Sequence, residues 1–314
     1  MADRAQVDVG VVTWNTAELT ARAVRHLLDS EQGCELRVLV HDNHSSDATV
    51  EALARLAPEA EVEVSPDNVG FARGMNRLLH RSEAPWFFAL NSDAWPEEGA
   101  IGRLLEAADR APQAAAVAPL LRRPQGAIEH SVHPFPSLSV ALLDVVGGRR
   151  WLPRRLQASL SLEGATDYHH ARPVDWAVGA ALLMRAEAVR AIGGFDERFF
   201  MYVEDLEWCW RADRGGWQIV FEPAAVVRHV GNASGERRFG ASRPALEIAN
   251  LYRFLGTTRR PMSIGAMRAL YATAAAERYL AARIGHRPHE AAYWKVVARA
   301  HLGRELPPAT GPMP

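Results

Sequence analysis

Short apolar runs alternate with amphipathic stretches through the first third of the chain. Val7 to Val12 is a continuous β-rich run, and a helical spacing of apolar residues follows from about Ala17 to Leu28. Leu36 to Val40 is a second such run, after which Ser45, Ser46 and Asp47 offer N-caps to a helix reaching about Leu56. Val62 and Val64 mark a third strand, the spacing predicts a helix over about 71–81, and Trp86 to Leu90 is a fourth strand. Apolar strands alternating with helices predict a parallel sheet covered on both faces. From Arg122 to Arg172 the periodicity weakens among prolines at 124, 134, 136, 153 and 173, which predicts an irregular excursion or flap.

Regular sequence resumes with the apolar run Asp175 to Met184, interrupted by Gly179. Gly193 to Trp217 then opens on a Gly-Gly turn and carries Phe195, Phe199, Phe200 and Tyr202. It ends in a helix that starts with Glu204, Asp205 and Glu207 and closes at Gly215-Gly216. Trp217 to Phe221 and Ala225 to Val227 read as short strands. Beyond Pro244, helical patterns cover about 245–255, 262–284 and 289–302, broken near Gly256, Pro261, Gly285 and Pro288. The division expected from this pattern is an α/β domain over 1–240 and a helical segment over 241–314.

The polar residues at the strand ends change the picture from fold to site. Thr13 and Asn15, Asp42 and Asn43, Asn68, and Asn91, Ser92 and Asp93 follow the ends of successive predicted strands. In open α/β sheets the crevice beyond the strand carboxyl ends is where ligands bind, so this set predicts a nucleotide-sized pocket. Each residue alone is equally a turn former. The glycines form neither a dinucleotide fingerprint nor a phosphate loop. Gly70 is expected to allow close backbone approach, with Gly74 and Asn76 on the inner side of the following helix. Asp93 is a hard oxygen donor suited to Mg²⁺ or Mn²⁺, and His229 is a possible second ligand or a backbone-bonded histidine. Acids at a helix start meet the positive end of its dipole. Three of them beside aromatic surface also suit a general base, Asp205 first.

At 314 residues, 48% hydrophobic and 23% charged, the chain is long and apolar enough for a large core. The start has no secretory design, and no uncharged apolar run approaches the roughly 20 residues that span a bilayer. Two distant cysteines, Cys34 and Cys209, fit a reducing compartment, so a cytoplasmic location is expected. The net charge of −1 conceals an asymmetry: between Arg228 and Arg304 stand fourteen Lys/Arg against four Asp/Glu. This surplus predicts anionic partners, a peripheral membrane contact among them. A solvated Arg-rich face is the simpler account, since Lys295 is the only lysine. The tail's aromatics (Tyr252, Phe254, Tyr271, Tyr279, Tyr293, Trp294) could lie at lipid headgroups, or pack on the catalytic domain or a second copy in a homo-oligomer. Nucleic acid is not an expected partner.

VVTWN (11–15), HDNHSSD (41–47), NVGFARGMN (68–76), LNSD (90–93), WAVGAALLMR (176–185), GGFDERFFMYVEDLEWCWR (193–211) and HVGNAS (229–234) occur in this order. As a set they resemble the inverting family 2 glycosyltransferases, most of all bacterial rhamnosyltransferases that extend lipid-linked or polysaccharide acceptors. The resemblance spans about residues 7–235. It implies a GT-A fold: a Rossmann-like, mostly parallel sheet flanked by helices, with a C-terminal helical segment. Asn91-Ser92-Asp93 stands at the DxD-type motif, its first Asp replaced by Asn, which leaves Asp93 as the metal carboxylate for Mg²⁺ or Mn²⁺.

The resemblance further implies that Asp205 is the base that deprotonates an acceptor hydroxyl, and that His229 joins the metal or diphosphate site. Asp42 recognises the pyrimidine base, beside Thr13, Asn15, Asn43, Asn68, Gly70 and Asn76. Trp176, Gly179, Ala180 and Glu204 face the acceptor. Glu207 stands where the family more often has Asp, and Arg211 is expected to brace the helix. The donor is a nucleoside diphosphate sugar, dTDP-rhamnose or a UDP-sugar, and the acceptor a glycan, a lipid-linked sugar or a small molecule. The alternatives are a transferase using a UDP-hexose, a non-catalytic nucleotide-sugar or glycan-binding protein on the same fold, and a sugar nucleotidyltransferase. The last lacks its expected support, because VVTWNTAEL has no Gly-rich basic loop.

Overall fold

The structure is a computed structural model that describes residues 5–145, 167–231 and 239–304. These fall into two compact units, one of residues 5–133 with 167–231 and one of residues 134–145 with 239–304.

The first unit is built on a sheet of nine strands among the described residues. They are β1 (Gln6–Thr13), β2 (Glu35–Asp42), β3 (Glu61–Val64), β4 (Trp86–Asn91), β5 (Ala94–Pro96), β6 (Ala114–Arg122), β8 (Arg172–Val174), β10 (Ala181–Arg185) and β11 (Gln218–His229). The order is β3-β2-β1-β4-β10-β6-β11-β5, with β8 also paired to β11. β1 to β4, β6 and β11 all run one way, and β5, β8 and β10 oppose them, so the sheet is mostly parallel. A separate two-stranded ribbon joins β7 (Val132–His133) to β9 (Trp176–Ala177).

Register puts the strand ends in line. Thr13 pairs with Asp42, Asp42 with Val64, and Val12 with Asn91. β5 pairs antiparallel with β11, so that Ala94 lies opposite His229.

Helices cover both faces. Val7, Val9, Val11, Val38, Val40, Phe88 and Leu90 share a core with α1 (Ala17–Asp29), α2 (Thr49–Leu56) and α4 (Ala100–Arg110). Burying such Val, Leu and Phe side chains stabilises the fold by roughly 1.5–3 kcal/mol each. α3 (Phe71–Arg81) lies over the other face: a Cβ on Gly74 would come within 2.9 Å of His41 Cδ2 and 3.1 Å of Val12 Cγ1. A side chain there would lift α3 off the sheet. α6 (Ala186–Ile192) and α7 (Glu204–Arg214) complete the unit.

The elements expected from periodicity are all present, with one difference in their joining. The two short strands after Trp217 are one 12-residue strand, β11, whose register shifts between Glu222 and Val226. The segment that begins at Arg122 is more ordered at its start than an excursion. It turns back at Gly126, forms β7, and continues as α5 (Leu138–Val145); residues 146–166 lie outside the described residues.

In the second unit α8 (Arg243–Thr258), α9 (Pro261–Ile284) and α10 (Pro288–His301) pack on one another, and α5 packs on α9. Each of the last three has a proline in its first turn, where the missing N–H costs nothing. Tyr252 and Phe254 are buried in this unit, and Tyr271 stacks on His301 at 5.2 Å. The Arg268 guanidinium sits 3.8 Å over the Tyr252 ring, and Arg278 4.6 Å over Trp294. Several of the tail's aromatics therefore pack the helical unit itself. No described helix is long and apolar enough to cross a membrane.

Candidate active site

Side-chain-to-backbone bonds stitch the loops after β1, β2 and β3 together. Asn15 has φ 52° and accepts from Ser46 N at 2.7 Å, while its own N–H donates to Ser45 Oγ at 2.9 Å. Asp42 is fully buried and accepts from Ser45 N at 2.9 Å and Ser45 Oγ at 2.6 Å. Asn43 receives Val69 N at 3.1 Å and donates to Gly70 O at 3.0 Å, and Asn68 receives Gly70 N at 3.1 Å. Gly70 has φ 86°, and a Cβ there would run into the carbonyl of Phe200, which accepts Phe71 N at 2.7 Å. Only glycine suits that conformation and that approach.

Two members of the sequence-predicted set are committed elsewhere. The Thr13 hydroxyl is buried in a triangle with Thr16 (2.9 Å) and Thr20 (2.8 Å), locking β1 to α1. Asn76 clips α3 to the Gly193 stretch: it donates to Phe195 O at 2.8 Å and Glu197 Oε1 at 3.1 Å, and accepts Phe195 N at 2.8 Å.

A second cluster forms where β4 ends. Ser92 and Asp93 are buried, and Asp93 Oδ1 faces His229 Nε2 at 3.4 Å. Asn91 Nδ2 lies 3.4 Å from the same ring nitrogen, and the other, Nδ1, is 3.0 Å from Glu129 Oε2. Burial opposes the charged imidazole, but hydrogen bonds to Asp93 and Glu129 prevail and raise its pKa to about 9. Among the described residues no three His, Cys, Asp or Glu side chains converge into a metal cage. Asp93 and His229 are nonetheless the donor types that hold Mg²⁺ or Mn²⁺ when phosphate oxygens and water fill the remaining positions, so the residues fit such an ion. Of the loop after His229, Asn232 to Ser234 lie outside the described residues.

A third cluster surrounds the start of α7. Tyr202 and Val203 both have left-handed backbones, φ 70° and 77°, immediately before Glu204. For β-branched Val203 this is a strained conformation of the kind held at functional sites. It launches α7 so that Asp205 Oδ2 accepts Gly179 N at 2.8 Å and Oδ1 accepts Leu206 N at 2.7 Å. Glu204 is buried and its Oε2 has no hydrogen-bond partner. Burial, then the neighbouring Asp205, drives its carboxyl well above the usual range. Glu207 is spent on Arg211 at 2.8 Å, and Arg211 also donates to Ile192 O (2.7 Å) and Gly194 O (2.6 Å). Arg211 thus braces the helix, as expected.

One backbone path joins the second and third clusters. Asn91 N donates to Ala180 O at 2.9 Å, and the adjoining Gly179 holds Asp205. Trp176, three residues before Gly179, stacks on His133 at 4.5 Å. Burial, then His130, lowers the His133 pKa to about 3. Periodicity gave no sign of Glu129, Arg123 or His133, which lie where the apolar pattern fades. A carboxylate and two histidines, Glu129, His130 and His133, within five consecutive positions were the available signal.

The family model described as glycosyl transferase family 2 matches residues 8–158. The N-acetylglucosaminyl-diphospho-decaprenol L-rhamnosyltransferase of Mycobacterium tuberculosis is 34% identical over 230 residues, covering 69% of this chain and 74% of that protein. The chain belongs to glycosyl transferase family 2. A second relative, the pre-mycofactocin glycosyltransferase of the same species, is 30% identical over 213 residues, 67% of this chain and 40% of that protein. Among solved structures, the mannosyltransferase PcManGT from Pyrobaculum calidifontis, in complex with GDP-Man and Mn²⁺, matches with TM-score 0.57 at 16% identity, covering 96% of this chain and 88% of that chain. GalNAc-T7 with UDP, GalNAc and Mn²⁺ gives TM-score 0.57 at 11% identity over 82% of this chain and 48% of that chain. At such identities these two establish the fold, which is GT-A, and this family 2 chain is a glycosyltransferase.

Proposed function

We propose that this glycosyltransferase moves a sugar, favouring a rhamnose-like deoxyhexose, from a nucleoside diphosphate to a hydroxyl of a lipid-linked glycan, with inversion and with Asp205 as general base. The observation that carries the reading is the short path Asn91–Ala180–Gly179–Asp205, which supports a base and a diphosphate end serving one sugar. Asp42 and the loops after β1 to β3 take the nucleoside. Asp93 and His229 hold Mg²⁺ or Mn²⁺, which when bound neutralises charge on the diphosphate leaving group.

Asp205, aimed by Gly179 N–H, accepts the acceptor's hydroxyl proton as the oxygen attacks the anomeric carbon from the face opposite the diphosphate. Burial, then Asp205, raises the neighbouring Glu204 carboxyl well above its usual range, which favours its neutral form beside Asp205. The mycobacterial relative's name supports a polyprenyl-diphosphate-linked N-acetylglucosamine as the acceptor class. The charge surplus of the helical segment supports a peripheral contact with an anionic membrane surface.

The test is nucleoside diphosphate release from a panel of dTDP- and UDP-sugars, with and without Mn²⁺, in the presence of such an acceptor. Acceptor-dependent release from dTDP-rhamnose is expected. Release from UDP-hexoses alone would move the donor to the alternative class, and tight sugar-nucleotide binding without release from any donor would leave a binding protein.

A further inference from the structure

We propose that Glu129 is a positioning residue for His229, holding the imidazole with Nδ1 toward itself and Nε2 toward Asp93. The inference rests on reading Asp93 and His229 as the cation end of the site. Glu129 reaches this place because the chain doubles back after β6: Gly126 N donates to Arg123 O at 2.8 Å, Arg123 N to Ala127 O at 2.8 Å, and Glu129 N to Leu121 O at 3.0 Å. Its carboxylate then divides its oxygens. Oε2 lies 3.0 Å from His229 Nδ1 and Oε1 3.2 Å from Arg123 Nη2.

Arg123 closes the arrangement by donating through Nη1 to Val230 O at 2.6 Å, the residue after His229. Gly231 has φ 83°, and a Cβ there would collide with Arg123 Nη1, so the turn after His229 leaves room for this guanidinium. The carboxylate and the imidazole are both largely withdrawn from water, with side-chain exposures of 14% and 6%.

The chemistry of the pair gives it direction. A neutral imidazole donates from one nitrogen and accepts at the other, and an ionised carboxylate only accepts. In the neutral ring, the form a cation requires, Glu129 therefore selects the tautomer with hydrogen on Nδ1. That leaves the Nε2 lone pair on the side of Asp93 and Asn91, where a cation would be bound. Carboxylates that orient a metal-binding histidine in this way typically contribute 10–100-fold to metal affinity.

Calorimetric titration of Mn²⁺ into the full chain with dTDP present tests the proposal, comparing wild type with Glu129→Gln and Glu129→Ala, each also in a His229→Ala background. Glu129→Ala is expected to weaken Mn²⁺ binding roughly 10–100-fold. Glu129→Gln, which keeps an acceptor oxygen and the side-chain volume, should fall in between. Neither should weaken binding further once His229 is alanine, because the effect passes through the ring.

Above pH about 9, where the metal-free imidazole is neutral, nitrogen-15 NMR of His229 should show hydrogen on Nδ1 in wild type and a mixture of tautomers in Glu129→Ala. Mn²⁺ affinity within twofold of wild type in both variants, or the same loss in the His229→Ala background, would overturn the proposal. If wild type takes up no Mn²⁺, the cation reading itself fails; an Nδ1-bound hydrogen that survives Glu129→Ala then refutes the positioning role independently.

Discussion

Asp93 has a buried carboxylate 3.4 Å from His229 Nε2, and the two residues sit where β5 pairs with β11. Removing the carboxylate should therefore act on the diphosphate and leave the nucleoside alone. Asp93→Ala is expected to weaken Mn²⁺-dependent dTDP binding at least tenfold while thymidine binding stays within twofold, measured by calorimetry. Equal losses for both ligands would assign Asp93 to the nucleoside. At this scale the strand-end residues were legible in the sequence, because Asn and Asp following apolar runs mark where chain leaves sheet. Their hydrogen bonds were not. Nothing near Asn76 in sequence announces a partner at Phe195, 119 positions away. Thr13 likewise gives no sign that its hydroxyl turns inward to Thr16 and Thr20.

Helix α7, which carries Asp205, is held by its own outer turn. Arg211 takes both Glu207 oxygens and two carbonyls of the turn at Ile192 and Gly194, while Trp208 donates to Gly193 O at 3.0 Å. Arg211→Ala would leave the Glu207 charge and two carbonyls without their donor. It is expected to destabilise the unit by about 3 kcal/mol in chemical denaturation. Arg211→Lys should recover little, since an ammonium cannot reproduce the planar fork. Near-wild-type stability of Arg211→Ala would show the brace to be superfluous.

The helix itself was plain from its glycine-bounded, acid-led sequence. The strained Tyr202–Val203 entry was not, because tertiary packing rather than local preference holds a β-branched residue at positive φ. β6 was hidden for the same reason. Ala114 to Ala116 and Pro119 are poor strand formers, yet β10 pairs with β6 only at Ala116 and Val117, so the missing N–H of Pro119 breaks no bond to it.

For the whole molecule, pH and charge are the accessible levers. In the helical unit His301 Nδ1 lies 2.8 Å from the Tyr252 hydroxyl, and burial, then Arg268, lowers its pKa to about 4. Unfolded, it would titrate near 6.5, so between those values the unfolded chain binds more protons. Its contribution to stability is intact above about pH 6.5 and lost as pH falls toward 4. Thermal melts should show a larger drop from pH 7.5 to 5 in wild type than in His301→Gln; equal drops would remove His301 as the cause.

The charge surplus predicts sedimentation with anionic but not neutral vesicles, weakened by salt and by Arg259→Glu with Arg260→Glu. Arg268 is unsuitable for this reversal because it packs on Tyr252. Failure to sediment at low salt would refute the membrane contact. That the chain transfers sugar through Asp205 is tested most directly by the turnover of Asp205→Asn measured beside its dTDP affinity. The expected result is a turnover about 10²–10⁴-fold below wild type with dTDP affinity unchanged, and turnover near wild type would contradict it.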